Sequence, residues 1–269
     1  MPLTEAEMLD AIIGDNANER KAFLSSFRGT VVAIAKDAIR VHLRLERLGA
    51  VVVHHERIDY VLQFLHVALN NAITSTALLV EGYPLPSGNL MRQYGEATAM
   101  ILLFLDHRSG VLEAYKRNPI KYRVDGALKQ VDEQRGVADR LRRLLGFDQT
   151  RWRAFMEISR HYHGFSHAGA VSTIFHFPLD PPRRVIIGAH YDPAKRNATR
   201  LELRRRRTAL KTLDTLVRIL FHVFPRAPRT KPTKTSARRP EPVGAPPPRI
   251  GLAAIRARPA GRQPAPPRP

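Results

Sequence analysis

The chain has no cysteine among its 269 residues, which excludes disulfides and thiolate chemistry. That composition fits a reducing compartment, and a cytoplasmic location is the expectation. Acidic residues are the second shortage: 24 Asp and Glu stand against 44 Lys and Arg, a formal charge of +20. Such an excess favours anionic partners: RNA, DNA or another polyanion, or an acidic membrane surface. A basic, apolar secretion leader is also missing, because Met1–Met8 is polar and acidic. Long apolar runs are few. Val61–Val80 lacks formally charged residues but carries Gln63, His66, Asn70, Asn71, Thr74, Ser75 and Thr76, which suits the interior of a helical bundle better than lipid. Ala97–Leu105 is too short to span. No membrane association is expected. Gly-rich phosphate loops, Gly-x-Ser-x-Gly and nucleotide fingerprints are absent as well.

What is present reads as helix. Hydrophobic content of 43% is enough for a core. Thr4 and Glu7 have the spacing of a capping box ahead of Met8, Leu9, Ile12 and Ile13. Phe23, Phe27, Val31, Ile34, Ala38, Val41 and Leu45 then form one apolar stripe, ending at Gly49. Val51–Val53 is expected to be an extended connector, followed by a long helix over Glu56–Glu81. Gly82–Gly88, with Pro84 and Pro86, predicts a turn. Further helices are expected over Asn89–Asp106, Val111–Arg117, Val124–Leu145 and Gln149–Ser166. Val171–Phe177 and Val185–Gly188 flank a Pro-rich turn and predict a small β-hairpin near 171–190. The last helix, Asn197–Phe224, places Leu203, Leu210, Leu213, Val217 and Leu220 on one side.

The fold class is therefore mainly all-α: a multi-helix bundle over 1–225 with one hairpin. From Arg226 the chain is rich in Pro, Arg and Ala, without aromatics, and holds eleven Lys/Arg against Glu241 alone. Such a segment cannot offset its chain entropy by burial, so 226–269 is expected to be a disordered basic tail. Binding by that tail would be electrostatic, since nothing in it stacks on bases.

The densest chemistry lies in Ile158–Ala168. Arg160, His163 and His167 sit at i, i+3 and i+7 on one helical face. Histidine exchanges protons near neutral pH and a guanidinium holds phosphate, so together they suit metal-independent cleavage of an RNA backbone. The alternative is a hydrogen-bonded network that anchors the helix end. Arg92 and Glu96, four apart in an apolar helix, form an expected pair that Ser166 or His167 would complete. Arg204, Arg205, Arg206 and Arg207 form a candidate anion-binding patch, or else an ordinary solvated helix face. A metal is not expected. His163 and His167 are four apart, but Gly164 stands where a zinc helix carries Glu, and no motif places Glu157 or Asp192 beside them. No cofactor is expected either.

A helix reading Leu90–Met–Arg–Gln–Tyr–Gly–Glu96, with a later helix ending Tyr162–His–Gly–Phe–Ser–His–Ala168, resembles bacterial helical proteins related to the HEPN domain. The family's signature is an Arg, commonly a polar residue, then a His several positions on. Arg160, His161 and His167 lie on that pattern, and the resemblance covers about residues 20–170. It implies a metal-independent ribonuclease or RNA-interacting protein of a defence or toxin system, usually dimeric with the motifs facing each other. His167 would carry the proton and Arg160 bind phosphate, with His163 or His161 assisting. Other members have lost catalysis, so the second expectation is a non-catalytic helical scaffold whose basic tail meets anionic partners.

Overall fold

The computed structural model describes residues 9, 14–119, 127, 131, 136–163, 165 and 188–225, without the side chains of 151, 154, 155, 158–160 and 163. The elements are α1 (Ala17–Val51), α2 (Glu56–Val80), α3 (Pro84–Leu105), α4 (Val111–Arg117), α5 (Val137–Leu145), α6 (Gln149–His163), a 3-10 turn (Pro193–Lys195) and α7 (Arg196–Val223). Among the described residues there is no β-strand. Residues 171–187, which carry most of the expected hairpin, lie outside the described residues, as do the capping box at Thr4 and the tail from 226 on.

α1 buries its predicted stripe: Phe23, Phe27, Ile34, Ala38, Val41 and Leu45 are all inside. α7 buries Leu203, Leu210, Leu213, Val217 and Leu220 against it. The two helices run parallel, since both C-termini meet where the Val53 amide donates to the Pro225 carbonyl at 3.0 Å. α2 runs back along α1, with Arg20 at the start of α1 paired to Glu81 just past the end of α2 at 2.8 Å. No helix among the described residues is long and apolar enough to cross a membrane. In particular α2 interrupts its apolar face with the buried Asn71, Ser75 and Thr76.

The predicted turn over 82–88 is shorter than expected, and this corrects the sequence reading. Only Glu81–Tyr83 turns, and Pro84 opens α3. Proline is pre-set for the first helical position and lacks only an amide that a helix start leaves unpaired, and Pro86 still lies in that first turn. Gly82 sits at φ +89°, its carbonyl accepts the His190 amide at 2.9 Å, and a Cβ there would lie 2.7 Å from that nitrogen. The backbone around 190 therefore lies against the α2–α3 turn. Five residues on in α3, Gly88 leaves room for the Phe165 ring, which a Cβ would meet at 2.0 Å. At the far end of α3, the buried Asp106 takes a forked pair from Arg140 (2.6 and 3.1 Å). Burial pushes its carboxyl up, but Arg140 and the Arg108 amide outweigh that and hold it below its usual value.

Candidate nucleic-acid interface

α7 carries two kinds of arginine, and its pitch separates them. Arg196, Arg200, Arg204, Arg207, Lys211 and Arg218 are all exposed. At 100° per residue they share an arc of about 80°. The acidic residues of the helix, Glu202 and Asp214, are both buried. The solvent-facing stripe of α7 is therefore purely cationic.

α1 extends that stripe. Asp37 on α1 is buried, accepts from Arg207 of α7 at 2.9 Å and forms an ion pair with Arg40 of its own helix at 3.3 Å. Asp214 on α7 is buried, accepts from Arg44 of α1 at 2.5 Å and forms an ion pair with Arg218 of its own helix at 3.4 Å. The two sites are offset by seven residues on both helices, about 10.5 Å along the seam. Each carboxylate thus lies beneath the surface and holds two guanidiniums above it. Arg47, Arg204 and Lys211 add cations without a carboxylate partner among the described residues. The outer side of the α1–α7 seam is a face of fixed guanidiniums with excess positive charge.

The opposite flank of α7 does something else. Arg206 is 1% exposed. Its Nε donates to Ser75 at 3.2 Å, one terminal nitrogen to Ser87 at 2.6 Å, and the other to Glu202 at 2.8 Å, the Glu202 carbonyl at 3.0 Å and Tyr162 at 3.3 Å. The two serines close a ring: Ser75 donates to the Ser87 carbonyl at 2.8 Å, and Ser87 to the Ser75 carbonyl at 2.6 Å. Each hydroxyl is then free to accept from Arg206. Glu202 also accepts from Tyr162, His161 and Arg205, each at 2.9 Å. Burial alone would raise its carboxyl, but the His161 and Arg206 contacts prevail and bring it down to about 2. Burial pushes the Tyr162 hydroxyl well above its usual value, so it remains a donor. One guanidinium thereby ties α2, α3, α6 and α7 together.

The four-arginine patch expected from 204–207 is accordingly not one surface. Arg204 and Arg207 face solvent, Arg205 is held by Glu202, and Arg206 points into the core. Two spacings in the sequence carry that signal. Arg206 falls between Leu203 and Leu210 on the apolar side, and Glu202 is four residues before it. The anchoring pair Asp37 and Asp214 had no comparable local mark, because each is explained by a residue 170 positions away.

Of the expected catalytic set, His161 lies at the half-buried end of α6 against Glu202, its ring edge-on to Tyr162 and Phe165. Arg160 and His163 lie on α6 with side chains outside the described residues, and Ser166 and His167 lie outside them altogether. Arg92 and Glu96 form an ion pair at 2.9 Å on α3, with Glu96 buried and Arg92 Nε without a hydrogen bond among the described residues. Among the described residues no cluster of His, Asp and Glu is arranged to hold a metal ion. No protein-family model matches the chain, and no curated protein or solved structure matches it.

Proposed function

We propose that this chain is a non-catalytic, RNA-interacting helical bundle whose α1–α7 face grips the phosphodiester backbone. The observation that carries this reading is the pair of buried carboxylates, Asp37 and Asp214, each holding two arginines at the surface. Arginines held this way lose less side-chain entropy when phosphate arrives than free ones do. Phosphate contacts of this kind position a nucleic acid without reading its sequence, so affinity is expected to vary little with base composition. Binding of a fluorescent single-stranded RNA to the full chain tests it. Arg204→Glu/Lys211→Glu is expected to weaken binding at least about tenfold and to lower the salt slope by about 1 to 2, with the thermal midpoint unchanged. Equal affinity in the variant would assign binding to the tail and overturn the reading.

A second reading, a HEPN-like metal-independent ribonuclease of a defence or toxin system, is favoured by one observation. His161 is oriented through Nε2 by a buried carboxylate, as a proton-transferring histidine needs to be. Arg160, His163 and His167 would complete that site, with His167 the proton carrier. Cleavage of labelled RNA by the full chain in EDTA, lost in His167→Ala at equal thermal stability, is the result this reading requires. Absence of cleavage across several RNAs leaves the binding reading in place.

A further inference from the structure

We propose that α1 pairs antiparallel with α1 of a second copy of this chain, about a two-fold axis level with residue 41. The inference is independent of nucleic-acid binding, and the contact runs through α1, not through the Arg160–His167 motif at the end of α6.

The outward side of α1 carries a stripe that no other described residue of the monomer covers. Ser25, Gly29, Val32, Lys36, Ile39, Leu43, Glu46 and Ala50 are all exposed and follow one another at alternating steps of four and three. That is the heptad spacing of a helix–helix seam, and the stripe occupies an arc of about 100°. Val32, Ile39 and Leu43 are 46%, 59% and 52% exposed, three of the larger apolar exposures among the described residues. Ile39 also lines an apolar groove of about 520 Å3 between α1 and α2, whose other wall includes the exposed Ile73. Apolar surface gathered in this way marks an interface more often than scattered residues do.

Charge identifies the occupant. At these alternating steps two residues are charged, Lys36 and Glu46, of opposite sign and neither with an ion-pair partner among the described residues; the exposed Lys21, Arg28 and Arg47 fall in the same arc between those steps. They are ten residues apart, too far to meet on one helix. Two antiparallel copies related at residue 41 place Lys36 of each opposite Glu46 of the other. The same register places Ile39 on Leu43 and Val32 on Ala50, each twice, as a two-fold contact requires. Parallel pairing in register would instead set Lys36 against Lys36 and Glu46 against Glu46. A foreign partner would need its own complementary pattern, whereas the Lys36–Glu46 spacing is complementary to itself about residue 41. Gly29 agrees with this. It weakens a mid-helix position, and a Cβ there would meet nothing within 4 Å in the monomer. In the paired register it lies opposite Val53, an exposed valine just past the helix end.

Sedimentation velocity of the nuclease-treated full chain, across a concentration series, tests the pairing without bridging by nucleic acid. The expected species is a dimer. Ile39→Asp is expected to yield monomer with an unchanged thermal midpoint, since the side chain is exposed in the single copy. Lys36→Glu, counted twice in the dimer, is expected to weaken association about tenfold. Lys36→Glu/Glu46→Lys is expected to restore it. A monomer at every concentration, a dimer indifferent to Ile39→Asp, or a charge swap that fails to rescue would each overturn the proposal.

Discussion

Arg206→Met is expected to lower the unfolding free energy by about 3–5 kcal/mol, because it takes the closest buried cation from the Glu202 carboxylate and the guanidinium donor from two buried hydroxyls. In a fold of this size that amounts to a fall of about 10 °C in midpoint. Arg204→Ala, two residues away but in solvent, is expected to change stability by less than about 0.5 kcal/mol. The contrast separates burial from charge, since both substitutions remove one arginine from the same helix. Removing both charges, in Arg206→Met/Glu202→Gln, is expected to recover part of the loss, because the cost of the single change lies in the stranded partner. Urea unfolding of the parent, Arg206→Met, Glu202→Gln and the double variant gives the cycle, with Arg204→Ala as the exposed control. Equal effects of Arg206→Met and Arg204→Ala would mean that the network does not hold the bundle together.

The same network sets an acid limit. Glu202 titrates at about 2 in the fold, below its ordinary 4.5. A carboxyl depressed on folding contributes stability that is fully present above the unfolded value and is lost as pH falls through the folded one. The window is therefore pH 4.5 down to about 2, and the contribution lost is about 3 kcal/mol. Glu202→Gln has no proton to take up at this position. At neutral pH it is expected to be less stable than the parent by about that amount, and the gap is expected to close as pH falls toward 2. Asp106 also titrates below its usual value and adds acid sensitivity, but equally in both proteins, so it cancels in the difference. A gap that stays constant across the window would place the acid sensitivity elsewhere.

Residue patterning made the long helices legible, and contact across the chain decided the rest. The stripe from Phe23 to Leu45 specified α1 and its buried face, because a helix needs only its own period to be recognised. Leu203, Leu210, Leu213, Val217 and Leu220 did the same for α7. The start of α3 was misplaced because Pro84 and Pro86 read as breakers, although helix starts accept proline. The role of Arg206 was hidden by its neighbours, since four consecutive arginines suggest one surface while a helix distributes them around its axis. Ser75 and Ser87 carried no mark at all. They are ordinary small polar residues until α7, more than a hundred positions later, brings a guanidinium between them. The cationic α1–α7 face was visible only as a charge excess. Its geometry needed the parallel packing of α1 and α7, which no local period encodes.

The most direct measurement is to map where RNA touches the full chain, by photo-crosslinking a uridine-substituted single strand and identifying the attached peptides. Crosslinks within 196–218 of α7 and at or beside Arg40 and Arg44 of α1 are expected, diminished together in Arg204→Glu/Lys211→Glu. Crosslinks confined to 226–269, unchanged in that variant, would contradict an interface on the α1–α7 face.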